Sequence, residues 1–333
     1  ALCAAGYNAN DILIINGDLT ERGCNSLEVI RYIMELSEKN TVYTVMGNVD
    51  HFIYLLISDP GAVPDEIVGR LIREKSTRRI VHEMCQELGI KVSDSTNIGA
   101  LRRHFAETYK REVDFLRSLP TIIETQSFVL AHGGIAHEDY RELDAFCCMK
   151  NDRYMGQGIT LTKPCIVGHW PTPLYNDKIG SANPVYDREK RIISIDGGCE
   201  LNRDGQLNML VFPSCYSSDF TYVAFDNMET VIALDRQKEN HDTLHIRFGH
   251  NDVKILNPGE EYSLIRHLET GREMEVYNKY LFESDGQDKC DNYSDYLLDV
   301  YPGDTLKVTY RTTRGIIAKK DGISGHYIGR IKE

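Results

Sequence analysis

Short runs of aliphatic and β-branched residues recur along the first part of the chain, each ending in a loop that opens with glycine or a polar residue. DILIIN (residues 11–16) predicts a strand buried on both faces, and it ends at Gly17-Asp18. From Asn25 onward, Leu27, Ile30, Ile33, Met34 and Leu36 fall at helical spacing, with Asn25 or Ser26 in the N-cap position. A second strand, residues 42–46, runs into Gly47-Asn48-Val49-Asp50. Strand, helix, strand is βαβ order, which puts the polar loops at the carboxyl ends of parallel strands, where open α/β sheets carry their sites. Residues 51–119 keep helical spacing in FIYLLI, in DEIVGRLI and from Arg79 to Leu88, and predict a helical insertion. Strands return at 121–124 and 127–130, the latter leading into Ala131-His132-Gly133-Gly134. CIVGHW (165–170) and RIISIDGGC (191–199) repeat the same design. This first domain, residues 1–213, is expected to be α/β. From about Phe220 the pattern changes to short alternating segments, TLHIRF, EYSLIRHL, REMEVYN, DTLKVTYRT, RGIIAKK and HYIGRI, so residues 214–333 predict a small all-β accessory domain.

The chain has 333 residues, enough for one large domain and one or two small ones, and 41% of them are hydrophobic, enough for a buried core. No run approaches the roughly eighteen apolar residues that span a bilayer, and the first residues lack a basic stretch with a cleavage site, so a cytoplasmic protein without a membrane partner is expected. Nine cysteines, an odd number without a C-x-x-C pair, read as reduced thiols. The net charge of −12 argues against a nucleic-acid partner, which needs clustered lysine and arginine. An anionic substrate would have to be attracted by local cations, of which bound metal ions are the strongest.

Four strand-end loops offer Asp18, Asn48, His132 and His169, a carboxylate, amide and imidazole set suited to a divalent transition metal. Each alone has an ordinary reading as a turn or a packed histidine. Together, at the ends of four expected strands, they point to one site.

The motifs that carry these residues resemble those of the calcineurin-like phosphoesterase family: GDLTERG its GD-x-x-DRG motif, GNVD its GNH-E/D motif, AHGG its HGG motif and GHWPT its GHT motif. The segment DFLRSLPTIIETQSFVLAHGGI is similar to the phosphoprotein phosphatase and diadenosine tetraphosphatase branch. The resemblance covers about residues 5–210 and implies a metallophosphoesterase β-sandwich flanked by helices in four layers, α/β/β/α, with two divalent metal ions (Mn, Fe, Zn or Mg, manganese foremost). It implies that Asp18 bridges both metals, that Asn48, His132 and His169 complete the shell of one, and that Arg22 holds a phosphate oxygen. It also implies hydrolysis by a metal-activated water that bridges the two ions, without a covalent enzyme intermediate. The C-x5-R loop of cysteine-based phosphatases is not found around any cysteine.

Three features depart from the family pattern. Its D-x-H-G motif would lie roughly twenty residues before GDLTERG, ahead of Ala1. ALCAAGYNAN reads as the end of the helix that follows that motif, so the chain as given carries the ligands of only one of the two ions. Val49 stands where many members have the histidine that protonates the leaving group, and valine cannot transfer a proton. Asp50 keeps the acidic member of that motif, and the adjacent His51 is the substitute proton donor to consider. A second phosphate-gripping arginine is expected after AHGG, where Arg141 and Arg153 lie outside any motif.

Residues 294–331 resemble a bacterial Src-homology-3-like barrel, which implies a peptide partner or an internal regulatory role, with Tyr301, Tyr310 and Tyr327 as a groove or as core. The expected function is phosphatase action on a phosphoprotein. The alternatives are hydrolysis of a dinucleotide polyphosphate or a phosphodiester, and a binding protein on a degenerate phosphoesterase fold.

Overall fold

The computed structural model describes residues 1–74 and 76–332. Residues 1–7 form one helical turn that closes as helices close. Gly6, at φ 72°, donates to the Cys3 carbonyl at 3.1 Å and Tyr7 donates to that of Leu2 at 3.1 Å, the paired bonds of a glycine cap. Strand β1 (Ile12–Ile15) then leads through the Asp18 loop to helix α1 (Ser26–Lys39), and β2 (Thr41–Thr44) returns parallel to β1, pairing Ile12 with Thr41 and Ile15 with Thr44. Helix α1 buries Leu27, Ile30 and Ile33 and carries Glu28 in its first turn and Lys39 in its last, both favourable to the helix dipole. Asn25 holds the N-cap position, but its side chain caps nothing. Glu83, from a later helix, accepts instead from the amides of Ser26 and Leu27, both at 2.9 Å. That cap is invisible to a local reading because it comes from far along the chain.

The stretch expected to be helical holds α2 (Asn48–Ser58), α3 (Asp65–Arg73), α4 (Ile80–Glu87), α5 (Ile98–Thr108) and α6 (Lys110–Ser118). Helix α2 starts earlier than the sequence suggests, so Asn48 lies in its first turn. Ile30 of α1, Ile53, Leu56, Val68, Ile80, Phe105 and Leu116 form one apolar cluster. Each buried aliphatic side chain contributes about 2 kcal/mol. The exposed Arg31–Glu87 pair, at 3.0 Å, contributes below about 1 kcal/mol, so the apolar seam holds the helices together.

A five-stranded sheet follows, built from β3 (Ile122–Glu124), β4 (Val129–Ala131), β5 (Cys165–Val167) and, after helix α7 (Ala145–Met149) and the short strand β6 (Gly180–Ser181), β7 (Val185–Asp187) and β8 (Ile192–Ser194). Its order is β3-β4-β5-β8-β7, with β4, β5 and β8 parallel and the outer strands antiparallel. The parallel strands are buried throughout, as their uninterrupted apolar runs foretell. The antiparallel pair β9 (Leu207–Val211) and β10 (Thr221–Phe225) comes next. The expected boundary near residue 213 falls inside this hairpin, and Phe220 beyond it still packs with Phe212 on the core of Val45, Phe128, Leu130 and Ile166.

The remainder is largely β: β11 (Glu229–Ala233), β12 (His245–Ile246), β13 (Val253–Asn257), β14 (Tyr262–His267), β15 (Glu273–Tyr277), β16 (Leu281–Ser284), β17 (Gln287–Cys290), β18 (Tyr293–Ser294), β19 (Thr305–Thr312), β20 (Gly315–Lys320), β21 (Ile323–Tyr327) and β22 (Ile331–Lys332). Its main sheet has the order β22-β11-β19-β20-β21-β6, so a strand from the α/β region closes one edge of it. Of the three tyrosines considered for a groove, Tyr327 is fully buried, its hydroxyl donating to the carbonyls of Asp235 and Arg330. Tyr310 packs among Tyr277 and Tyr280, and Tyr301 alone is exposed, under the guanidinium of Arg236 at 3.9 Å. All nine cysteines are free thiols. Among the described residues, no helix is long and apolar enough to cross a membrane.

Candidate metal centre

The end of β1 brings the chain through two consecutive left-handed residues, Gly17 at φ 77° and Asp18 at φ 52°. A side chain on Gly17 would start 2.6 Å from the Gly47 amide and 2.9 Å from His132 Nδ1, so only glycine fits where the loops after β1, β2 and β4 meet. A Cβ on Gly47 would likewise fall on the Asp18 carboxylate. The glycines of the GD and GN motifs are therefore the space in which the polar side chains converge.

Asp18, His132 and His169 each bring a ligand atom within 4.8 Å of one another. His132 Nε2 lies 3.1 Å from Asp18 Oδ2, without the alignment of a hydrogen bond, and the two imidazoles are 5.6 Å apart in a T-shaped arrangement. His132 Nδ1 is 2.6 Å from the carbonyl of Asn16. A carbonyl only accepts, so Nδ1 carries the hydrogen and Nε2 is the atom that takes either a proton or a metal ion, the orientation usual in a metal-binding histidine. The fourth expected ligand, Asn48, has its Oδ1 buried with no hydrogen-bond partner. An orphaned amide oxygen, one residue before the Val49 amide that donates to Asp18, adds to the two imidazoles and the carboxylate a donor chemistry that fits a divalent cation.

The electrostatics agree with that donor set. Burial opposes charge on His132, but the Asp18 carboxylate and the Asn16 carbonyl more than offset it and raise the imidazole to about 9. Burial likewise opposes the charge on Asp18, yet His132, the Val49 amide and His169 hold its carboxyl below the ordinary value. A site that draws a proton onto a buried imidazole attracts positive charge. His169 behaves differently: burial pushes it down, although its Nε2 is 2.7 Å from Asp152 Oδ1, and the nearby His132 adds to the fall.

Asp50 is fully buried, and its carboxylate accepts from the amides of Asp18 (2.8 Å), Leu19 (2.8 Å) and Gly47 (3.0 Å). It ties the β1 loop to the first turn of α2, and Val49 completes the tie by donating its amide to Asp18 Oδ1 at 2.9 Å. Glu21 pairs with Arg79 at 3.0 Å and accepts from the amide of Ile80, anchoring the loop while leaving Arg22 exposed, at φ 61° and without an ion pair among the described residues. His51 sits in the first turn of α2, partly exposed, with its ring 6.3 Å from Tyr54 and 6.5 Å from Phe146. Of the two arginines after AHGG, Arg141 lines a surface groove with Glu124, Glu138 and Lys163. Arg153 follows Asp152, and its guanidinium lies over the ring of Trp170, at 5.7 Å, next in sequence to His169.

Sequence reasoning overlooked Asn16, Asp152 and Asp196. Asn16 directly precedes Gly17-Asp18, and both polar atoms of its side chain are buried without a partner. Asp196 follows β8 in the loop of RIISIDGGC, where burial pushes its carboxyl up and Asp18 adds to the rise. Both stand at strand ends, the same signal that marked the four named residues. Asp152 lies outside any such position and is found only through its contact with His169.

Gly134 of the HGG motif, at φ 98°, lies under Tyr154, whose ring atoms would be 2.6 Å from an added Cβ. Tyr154 is itself fixed by donating to the Ile135 carbonyl at 2.6 Å, so it cannot move aside cheaply. Gly134→Ala is expected to cost about 2–3 kcal/mol, from overpacking and left-handed strain together, and thermal unfolding checks it.

A carboxylate, two imidazoles and an orphaned amide oxygen on strand-end loops make up a group that could hold a metal ion. The profile of the calcineurin-like phosphoesterase family matches residues 4–182, more than half of the chain, and the protein belongs to that family. It is a metallophosphoesterase family hydrolase. No curated protein matches it. Among solved structures, hypothetical protein PH1004 from Pyrococcus horikoshii OT3 is similar over 68% of this chain and 79% of that one, at 12% identity and a TM-score of 0.31.

Proposed function

We propose that the protein is a phosphatase of the serine/threonine phosphoprotein type, hydrolysing phosphoric monoesters with Asp18, Asn48, His132 and His169 as metal ligands. The observation that carries this is the convergence of Asp18, His132 and His169 within 4.8 Å, and the amide oxygen of Asn48, one residue before the Val49 amide that donates to Asp18, is buried and unpartnered. A bound divalent ion, manganese foremost among Mn, Fe, Zn and Mg, supplies charge neutralisation at the phosphoryl oxygens and an acidified water. A second such ion, as the family resemblance implies, would share Asp18.

The chain's own residues do the rest. Asn16 and Asp152 orient the two imidazoles, and Asp50 holds Asp18 by fixing the backbone on either side of it. Arg22, exposed and without an ion pair among the described residues, holds a phosphoryl oxygen of the substrate. His51 gives its proton to the leaving-group oxygen. His51→Gln therefore lowers kcat toward an alkyl phosphate by about 10²-fold while changing that toward p-nitrophenyl phosphate, whose leaving group needs no proton, by less than about threefold. Equal losses on both substrates would remove His51 from that role.

Val49 favours a second reading, a phosphodiesterase or dinucleotide polyphosphate hydrolase, because the histidine expected at its position is replaced by a side chain packed on the helical core. Assay of p-nitrophenyl phosphate against its bis ester with added Mn²⁺ separates the two. Preference for the monoester supports the phosphatase, preference for the diester supports the second reading, and turnover of neither with no bound metal refutes both.

A further inference from the structure

We infer that the C-terminal β region is part of the substrate-binding apparatus of this site, because its loop Arg247–His250 positions Arg153 beside the metal centre to take an anionic group of the substrate. The inference rests on the hydrolase reading above.

Arg153 stands at φ 57°, directly after Asp152, whose carboxylate holds His169 Nε2 at 2.7 Å. Its guanidinium lies over the ring of Trp170, at 5.7 Å, and has no carboxylate partner among the described residues. In a protein of net charge −12, an arginine that lies over the residue following His169 and has no counter-ion among the described residues is available to an anionic ligand. The C-terminal region fixes where it points. Phe248 packs edge-on against Trp170, at 6.1 Å and 61°, and remains 63% exposed. Gly249, at φ 79°, approaches so closely that a Cβ on it would lie 2.5 Å from Arg153 Nη2.

That loop is not free to drift. Arg247 Nε donates to the Leu174 carbonyl at 3.1 Å and the His245 amide to that of Asp177 at 2.8 Å, both in the segment that follows Trp170. The same segment forms β6, the edge of the C-terminal sheet. The other side of the site is gripped as well. Lys319 Nζ donates to the Asp204 carbonyl at 2.9 Å, and Asn292 donates to Asn202 at 2.8 Å, in the loop that descends from Asp196.

Trp170 is the single tryptophan of the chain, so its emission reports on this place directly. The test is a titration of the full chain, with Mn²⁺, against inorganic phosphate, followed by Trp170 emission and alongside turnover of p-nitrophenyl phosphate. Arg153→Ala is expected to weaken phosphate by about tenfold, the loss of one charge-assisted contact. Phe248→Ala and Gly249→Ala are expected to weaken it about threefold to fivefold and to raise KM more than they lower kcat. In an Arg153→Ala background neither should weaken it further, since both act through that arginine. Phosphate affinity unchanged in Phe248→Ala despite a shifted emission overturns the inference, as does an undiminished effect of Phe248→Ala in the double variant. A wild-type chain that binds no phosphate overturns it too. Phosphate binding with this pattern but no hydrolysis sinks the hydrolase reading and leaves the positioning of Arg153 standing.

Discussion

Asp18→Asn is expected to lower kcat/KM toward p-nitrophenyl phosphate by about 10³-fold or more, equivalent to roughly 4 kcal/mol of transition-state stabilisation. Asp18 contributes the one carboxylate among the three convergent ligand groups, and its charge draws positive charge onto His132. The amide keeps the shape and an oxygen, so the Val49 amide retains an acceptor and the fold survives. The loss is therefore electrostatic. Metal affinity should fall with activity, and calorimetric titration with Mn²⁺ beside steady-state kinetics reads both. Activity within tenfold of wild type, with Mn²⁺ bound as before, would show that Asp18 is not a ligand that matters.

Asp50→Ala acts on stability instead. Its carboxylate is the shared acceptor for the amides of Asp18, Leu19 and Gly47, in a spot with no solvent access. Each buried amide left unpaired costs about 1–3 kcal/mol, and water entering the space left by the side chain recovers part of it, so a net loss of about 4 kcal/mol is expected. For a chain of this size that lowers Tm by roughly 10 °C, measured without added metal so that ligand binding does not mask it. Asp50→Asn keeps one acceptor and should cost about half as much. A fall in Tm below about 3 °C for Asp50→Ala would mean that the three amides find other partners.

The parts of this site that a reader of the sequence can find share one property. Asp18, Asn48, His132 and His169 each follow an apolar run directly, so the strand and its loop announce them together. Asp196 obeys the same rule and was there to be found. The acidic member of GNVD was visible as a residue but not as a device, because nothing local says that Asp50 turns inward to accept amides from the loop after β1. Asp152 and Glu83 escape for a related reason: each acts on a group far along the chain, and only the folded topology brings them together. Strands β1 to β5, β8, β14, β15, β19 and β20 and helices α1 to α4 were legible from period and composition, to within a few residues at their ends, whereas α7, β7, β9 to β11, β13, β16 and β17 were not. The pairing of Gly180-Ser181 with Ile323-Ser324 was not, since a two-residue strand leaves no periodicity to read.

That pairing changes what a cut near residue 213 would leave behind. The backbone of β6 would lose its partner, and the buried His245, whose Nδ1 donates to the Asn176 carbonyl, would be gone from beneath the segment that follows Trp170. Such a fragment carries Asp18, Asn48, His132 and His169 and yet presents a raw β edge and newly wetted apolar surface to its neighbours, the conditions under which chains add to one another rather than remain apart. Insolubility of the isolated phosphoesterase fragment would then record a shared sheet, and would say nothing against its chemistry.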